Sequence, residues 1–333
     1  MYSVAVVGAG VWAENHRIGW QARNDAKIAC VVRSKESSAE ETAKRWGVPS
    51  WSGNYKEVIA RPDIDIVDIL LPHDMHADVA CEALALGKHV VMEKPVATTV
   101  KDAQRIADAA KKADRKIMIS ENWIYATVIQ KAKAAIERGD IGTPYMVRAF
   151  MDMDVRAGYI GHWRYDFKRM GGGAALLDSG IHAVSACRYL LGEITEVVAI
   201  HQSNFFKEIA PLEDTSVMMC KFASGATGTI TVSWTAQRER PYTGFLILGS
   251  MGTIEFDTHE RQFFVSRDGK RSEETDLKAS RGFVEQMAHF IDCVKNNESP
   301  ITTPEEQIGS LKVVLAAYRS DKEGRFVKTS DIS

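Results

Sequence analysis

The chain has no excess of one charge. Its 42 Lys and Arg are set against 44 Asp and Glu, a net charge of -2, and no basic stripe runs along it. A nucleic-acid surface needs such an excess, so that class is set aside. It has no paired cysteines. Cys30, Cys81, Cys187, Cys220 and Cys293 stand singly, odd in number and without a CxxC, so neither a disulfide framework nor a zinc site is expected. It has no run of about 18 apolar residues, so no membrane span is expected. The opening MYSVAVVGAG has neither the basic start nor the long apolar core of a secretion signal. A cytoplasmic chain with reduced thiols is the expectation. There are no internal repeats and no low-complexity tract.

What is present is ample material for folding. The 333 residues, 45% hydrophobic and 26% charged, suit about two globular domains. Over residues 1–121 short apolar runs alternate with amphipathic ones. Strands are expected at Tyr2–Val7, Lys27–Val32, Ile66–Leu70, His89–Met92 and Lys116–Ser120. Helices are expected at Val11–Arg23, Ser37–Trp46, Met75–Leu86 and Val100–Lys112. That alternation predicts an α/β fold, a parallel sheet covered on both faces, of the Rossmann type. Residues 122–333 read as a second, α+β domain. A helix Val128–Arg138 and a strand Tyr145–Asp152 lead into GGGAALLDSGIHAVSACRYLLG, which reads as one helix ending at Gly192. Alternating segments between Glu196 and Arg267, broken by turns such as ASGATG and RDGK, predict one large, mostly antiparallel open sheet. Two helices, near Gly282–Lys295 and Pro304–Tyr318, follow; the last packs back on the first domain. The final few residues read as loose.

Gly8, Gly10 and Ala13 form G-x-G-x-x-A directly after the first strand and at the opening of a helix. Gly8 permits a tight turn, Gly10 lets the main chain approach a pyrophosphate, and Ala13 lets helix and strand pack closely. Val11 and Trp12 open that helix, whose N-terminus faces the phosphates. This is a dinucleotide site. An NAD site usually carries an acid at the end of the second strand; here Arg33, Ser34 and Lys35 stand there. A guanidinium and a hydroxyl suit a 2′-phosphate, so NADP(H) is favoured, with NAD(H) as the other choice. Ligands sit beyond the carboxyl ends of parallel strands, which adds Leu71, Pro72, His73 and His76 after the third long strand. Two histidines invite a metal, but no carboxylate or cysteine cluster joins them, and none is expected. Glu93, Lys94 and Pro95 end the fourth.

The stretches GAGVWA, PHDMHADVACEALALGKHVVMEKPV and GGGAALLDSGIHAV, in this order and spacing, resemble the glucose–fructose oxidoreductase, inositol dehydrogenase and rhizopine-catabolism (Gfo/Idh/MocA) family. The resemblance implies a Rossmann domain followed by a domain whose open sheet mediates oligomerisation, and so a homodimer or homotetramer. It implies hydride transfer between a nicotinamide and a carbon of a sugar, polyol or related compound. The family's motif lysine falls on Lys94, before a Lys94–Pro95 bond implied to be cis, and its second pair falls on Asp178 and His182. Lys94 would hydrogen-bond the reacting oxygen and stabilise the charge that develops there. His182 would be the general acid and base, because imidazole ionises near neutrality. Asp178, four residues earlier on the expected helix, would share its face and orient the substrate or the imidazole.

Glu93 would orient or pair rather than react. Substrate contacts are expected from His162, Trp163 and Arg164 before the glycine run, and from Glu121, Trp123 and Tyr125 after the last strand, with Asn122 beside the cofactor. Many relatives carry an arginine soon after the Glu-Asn pair, where this chain has Trp123-Ile124-Tyr125. Two other readings keep the same parts: a glycosidase that oxidises its sugar transiently, and a cofactor-sensing regulator without turnover.

Overall fold

The computed structural model describes residues 1–155, 163–204, 212–237, 241–258, 262–274 and 280–333. The chain divides into two compact units, Met1–Glu121 with Phe283–Ile308, and Asn122–Gly282 with Gly309–Ser333.

The first unit holds strands β1 (Tyr2–Val7), β2 (Ala26–Val32), β3 (Trp51–Ser52), β4 (Ile66–Ile69), β5 (His89–Glu93) and β6 (Ile117–Ser120). They form one sheet in the order β3-β2-β1-β4-β5-β6, and every neighbouring pair is parallel. The strands read as continuous apolar runs because both faces of such a sheet are buried. β1 pairs with β2 on one side and β4 on the other, so the order reverses beside β1. A crevice opens at such a switch point beyond the carboxyl ends of the strands. Register places Val7 beside Val32 and Ile69, and Glu93 beside Ser120. Gly8, Arg33, Leu71, Lys94 and Glu121 therefore leave the sheet along one edge.

Helix α1 runs Ala13–Gln21, two residues later than expected at its start. Val11 and Trp12 are spent in the turn that closes with Gly10 N–H donating to the Gly8 carbonyl at 2.7 Å. The helix Val100–Ala113 is capped by Thr99, whose side chain accepts from the Asp102 amide. The helix Phe283–Asn296 packs against α1. A Cβ on Gly19 would stand 2.5 Å from the Phe283 carbonyl oxygen, so only glycine allows that approach.

The second unit carries a nine-stranded sheet in the order β14-β13-β12-β11-β7-β10-β9-β8-β15. Its strands are β7 (Pro144–Asp152), β8 (Ile194–Gln202), β9 (Thr215–Phe222), β10 (Thr227–Ser233), β11 (Tyr242–Gly249), β12 (Gly252–Asp257), β13 (Phe263–Arg267), β14 (Lys270–Glu274) and β15 (Val327–Lys328). All pairs are antiparallel except β7 with β10.

Two expectations fail here. The glycine-run segment is not one helix. A short helix, Phe167–Met170, ends at Gly171 and Gly172, which have φ of +79° and +86°. A wide π turn, Ala175–Gly180, follows, and only then the α-helix Ile181–Leu191. A buried carboxylate sits at the start of the π turn: Glu213 accepts from the amides of Ala174 (2.9 Å) and Leu176 (2.8 Å) and from the Tyr318 hydroxyl (2.7 Å). These are amides at the start of the turn, which a helix leaves without partners of its own, and the carboxylate supplies them. The final residues are not loose either. β15 pairs with β8, and the Thr329 hydroxyl donates to the Ile194 carbonyl at 3.0 Å. No helix among the described residues is long and apolar enough to cross a membrane.

Candidate active site

The candidate site residues fall into two groups, one in each unit. In the first, the glycine turn is built around Gly8. Its φ is +94°, and a Cβ there would lie 2.3 Å from the Leu70 carbonyl oxygen, so the turn admits no side chain. Gly10 differs: an added Cβ would meet nothing nearer than the Gly8 carbonyl oxygen at 3.9 Å. Nothing in the protein requires a glycine there, and the open face beside it has room for a ligand's phosphates. Ala13 is fully buried where α1 starts, whereas Val11 is 93% and Trp12 37% exposed, unusual for apolar residues beside a sheet edge. Among the described residues, no main-chain hydrogen bond from the Val11 or Trp12 amide is found. Free amides at a helix start and an open glycine face fit a dinucleotide pyrophosphate.

At the end of β2, Arg33 is half-buried and donates to the Thr42 hydroxyl at 3.1 Å, while Ser34 and Lys35 are exposed. No acid stands at that strand end.

Glu93 and Lys94 are buried, 8% and 6% exposed, and the Lys94–Pro95 peptide bond is cis. Glu93 is hydrogen-bonded on both oxygens. Oε1 accepts from the Trp12 indole at 2.9 Å and lies 2.9 Å from His16 Nε2, and Oε2 accepts from the Lys94 amide at 3.2 Å. The other His16 nitrogen, Nδ1, meets Asp68 at 2.9 and 3.0 Å, and the Trp20 indole also donates to Asp68 at 2.7 Å. Burial works against charge on His16, but the Asp68 carboxylate and the hydrogen bonds to Asp68 and Glu93 more than offset it, holding its pKa at about 10. Burial likewise works against Glu93, and His16, Lys94 and Trp12 bring its pKa down to about 2.

His16 and Asp68 were missed by sequence reasoning. The signals were there: a carboxylate in the middle of the apolar run IVDIL, and a histidine on the Ala13–Trp20 face of a helix. His73 and His76 are also buried. His76 lies with Nδ1 2.8 Å from the Pro95 carbonyl and Nε2 2.9 Å from the Leu71 carbonyl. Burial first, and then the neighbouring His73, push its pKa down to about 4. A neutral ring has one N–H, so it donates to one of these carbonyls at a time.

In the second unit, Asp178 lies in the π turn and His182 in the first turn of the following helix, so the expected pairing on one face of an α-helix is not the geometry found. Both are buried, 2% and 6% exposed, rather than set on a surface. Asp178 accepts from Arg164 Nε at 3.0 Å, and the guanidinium lies 4.5 Å over the Trp163 ring. Trp123 stacks on His182, with centroids 5.1 Å apart and rings 16° from parallel, and meets Phe245 edge-on. Trp123 and Tyr125 are both 6% exposed, so each is a core side chain as much as a binding surface. Asn122 donates to the Arg281 carbonyl at 2.7 Å. Glu121, in the first unit, is fully buried. His162 lies outside the described residues. Glu213 and Tyr318, which anchor the start of the turn carrying Asp178, were also missed; no local pattern announces them.

An oxidoreductase family with an NAD-binding Rossmann fold matches residues 2–121, and the GFO/IDH/MocA C-terminal domain matches residues 129–255. A D-glucoside 3-dehydrogenase of Escherichia coli (strain K12) is 30% identical over 98% of this chain and 97% of its own length. The chain belongs to the GFO/IDH/MocA family. It is an oxidoreductase of the sugar and polyol dehydrogenase type, with an NAD-binding Rossmann domain. A scyllo-inositol 2-dehydrogenase (NAD(+)) of Bacillus subtilis (strain 168) is 28% identical over 90% of this chain and 87% of its own. The solved structure of a levoglucosan dehydrogenase in complex with NADH and levoglucosan has the same fold, with a TM-score of 0.91 at 23% identity over 98% of this chain and 99% of that one.

Proposed function

We propose that this family member is an NADP(H)-preferring dehydrogenase that moves hydride between the nicotinamide and a hydroxyl-bearing carbon of a sugar, polyol or sugar derivative. The observation that carries this reading is Lys94, buried at the carboxyl edge of the parallel sheet in the same unit as an open glycine turn. Relatives named for glucosides and inositol support the substrate class. The nicotinamide, when bound, supplies the acceptor or donor of hydride. Gly10 and the amides of Val11 and Trp12 would hold its phosphates, and Leu71, Pro72, His73 and Asn122 would line its path. Arg33 and Ser34, with Lys35, grip a 2′-phosphate.

Lys94 donates a hydrogen bond to the reacting oxygen and stabilises its negative charge. His182 takes the hydroxyl proton on oxidation and returns it on reduction. Asp178, held by Arg164, orients the substrate, with Glu121, Trp163 and Tyr125 as further contacts. Exposed Ile200 stands opposite exposed Val217 on β8 and β9, an apolar strip that suits pairing of copies into a dimer or tetramer. Five unpaired cysteines suit the cytoplasm.

The test is steady-state turnover with NADP⁺ and NAD⁺ over a panel of sugars, polyols and glycosides, with Arg33→Asp beside the wild type. A higher kcat/KM with NADP⁺, narrowed or reversed in Arg33→Asp, is expected. Faster turnover with NAD⁺ would overturn the cofactor preference. Tightly held cofactor and cleavage of glycosides without net reduction would move the reaction to the glycosidase class.

A further inference from the structure

Lys94 is flanked by Glu93 and Pro95, and each flank is held by a buried histidine from elsewhere in the first unit. His16, fully buried on α1, lies between two carboxylates, Asp68 on β4 and Glu93 on β5. His76 lies between the Pro95 and Leu71 carbonyls. Neither ring is on the surface, and neither belongs to a strand or turn whose folding requires a histidine. An apolar side chain would fill either volume without asking for buried partners.

The partners say more. A carboxylate only accepts, so an imidazole with a carboxylate at each nitrogen donates twice and carries a proton. Asp68⁻, His16⁺ and Glu93⁻ form a charged row beneath the sheet edge. Glu93 Oε1 accepts from His16 and from the Trp12 indole together, and Oε2 accepts from the Lys94 amide. One carboxylate thus ties the cofactor-binding turn to the main chain of the lysine. Without His16, Glu93 and Asp68 would be buried close together with one counter-charge fewer, a strong drive to rearrange.

We propose that His16 and His76 are positioning residues that fix Lys94 from both sides, and that His16, through Glu93 and Trp12, locks the glycine turn to the lysine loop so that cofactor binding and lysine placement depend on one another. This rests on the role given above to Lys94. Neither histidine touches substrate or exchanges a proton with it.

The decisive variants are His16→Leu, which removes both hydrogen bonds, and His16→Gln, whose amide serves one carboxylate at a time. Full-length protein is titrated with NADPH and NADH by nicotinamide fluorescence, and turnover is measured with the wild type's best sugar or polyol. In His16→Leu, kcat per bound nicotinamide should fall about 10²-fold, the loss that follows small misplacement of a reacting group. The sugar KM should change little, and cofactor Kd should rise about tenfold, as when outer partners of a site are removed. His16→Gln should recover part of both, and His76→Leu should lower kcat with a smaller change in Kd.

A purely structural role would lower the melting temperature while folded protein, counted by bound nicotinamide, kept wild-type kcat and Kd; that result overturns the proposal. If His16→Leu does not fold, Asp68→Asn, which still accepts from Trp20, is read the same way. If the wild type oxidises nothing offered, the proposed reaction fails, and the Kd arm alone decides: a tenfold loss sustains the lock, and an unchanged Kd sinks it.

Discussion

Around Lys94 the first unit uses charge: a fully buried imidazolium between two carboxylates, two indole donors, and a carboxylate that also accepts a main-chain amide. Around His182 the second unit relies more on shape: a tryptophan ring laid on the imidazole, a π turn, and glycines that let neighbours press close, with one ion pair, Arg164 to Asp178, beside them. A Cβ on Gly173 would stand 2.2 Å from the Tyr318 hydroxyl oxygen, so ring and main chain meet there directly. A lysine on a loop has a long, flexible stem, and fixing it takes strong directional bonds on the residues around it. An imidazole on a helix is already aimed by its backbone, and a packed ring helps to hold its plane.

If that contrast is right, the largest losses come from removing the groups that are held. Lys94→Ala should lower kcat about 10³-fold, the scale of removing one donor to a developing oxyanion. His182→Ala should lose about 10²–10⁴-fold, with a changed pH profile that Lys94→Ala does not share. Equal profiles in the two variants, measured from pH 5 to 10, would erase the division of labour.

Next is a stability effect confined to the charged side. Removing His16 should cost about 3–5 kcal/mol in denaturant unfolding, because it leaves buried carboxylates short of a partner. The pH dependence identifies the cause. An imidazole with a pKa of 6.5 unfolded and about 10 folded takes up a proton on folding between those values. Its contribution is therefore complete below pH 6.5 and is lost as pH rises through about 10. Glu93 has its folded pKa near 2 instead of 4.5, so its share is complete above pH 4.5 and fades as pH falls through about 2. Both are whole only between about pH 4.5 and 6.5. Unfolding free energy should fall from pH 7 to 10 in the wild type, and His16→Leu should remove this group's share of the slope. An unchanged slope would mean the ring is not charged.

The smallest effect sharpens the packed side. Trp123→Leu keeps the volume apolar but loses a ring contact worth about 0.5–1.5 kcal/mol, so kcat should fall roughly threefold with cofactor Kd unchanged. A loss as large as that of Lys94→Ala would mean that Trp123 meets the substrate itself.

The same contrast explains what could be read in advance. The parallel sheet was legible because each strand is a closed apolar run and each helix has its own period, so β1, β2, β4, β5 and β6 lie within a residue or two of expectation. The glycine motif and the Glu-Lys-Pro turn are also local in sequence. His16, Asp68 and Glu93 are separated by 52 and 25 residues of chain, and register alone brings them together. The segment around Asp178 read as one helix because its residues favour a helix. The groups that anchor its start, Glu213 and its partner Tyr318, lie 35 and 140 residues further on. Propensity cannot register a partner for amides that arrives from so far away.

The short β15 strand has a consequence of a different kind. β8 lies next to the end of the nine-stranded sheet, and Val327 and Lys328 cover it by pairing with Val197 and Glu196. Stripped of those residues, β8 would become a bare edge whose main-chain donors and acceptors can recruit a strand from any other molecule, the usual opening for aggregation. Handling the protein is therefore sensitive at this short strand. A chain cut before Val327, or an affinity tag joined without a spacer after Lys328, should precipitate on storage while each molecule still in solution keeps its full catalytic rate.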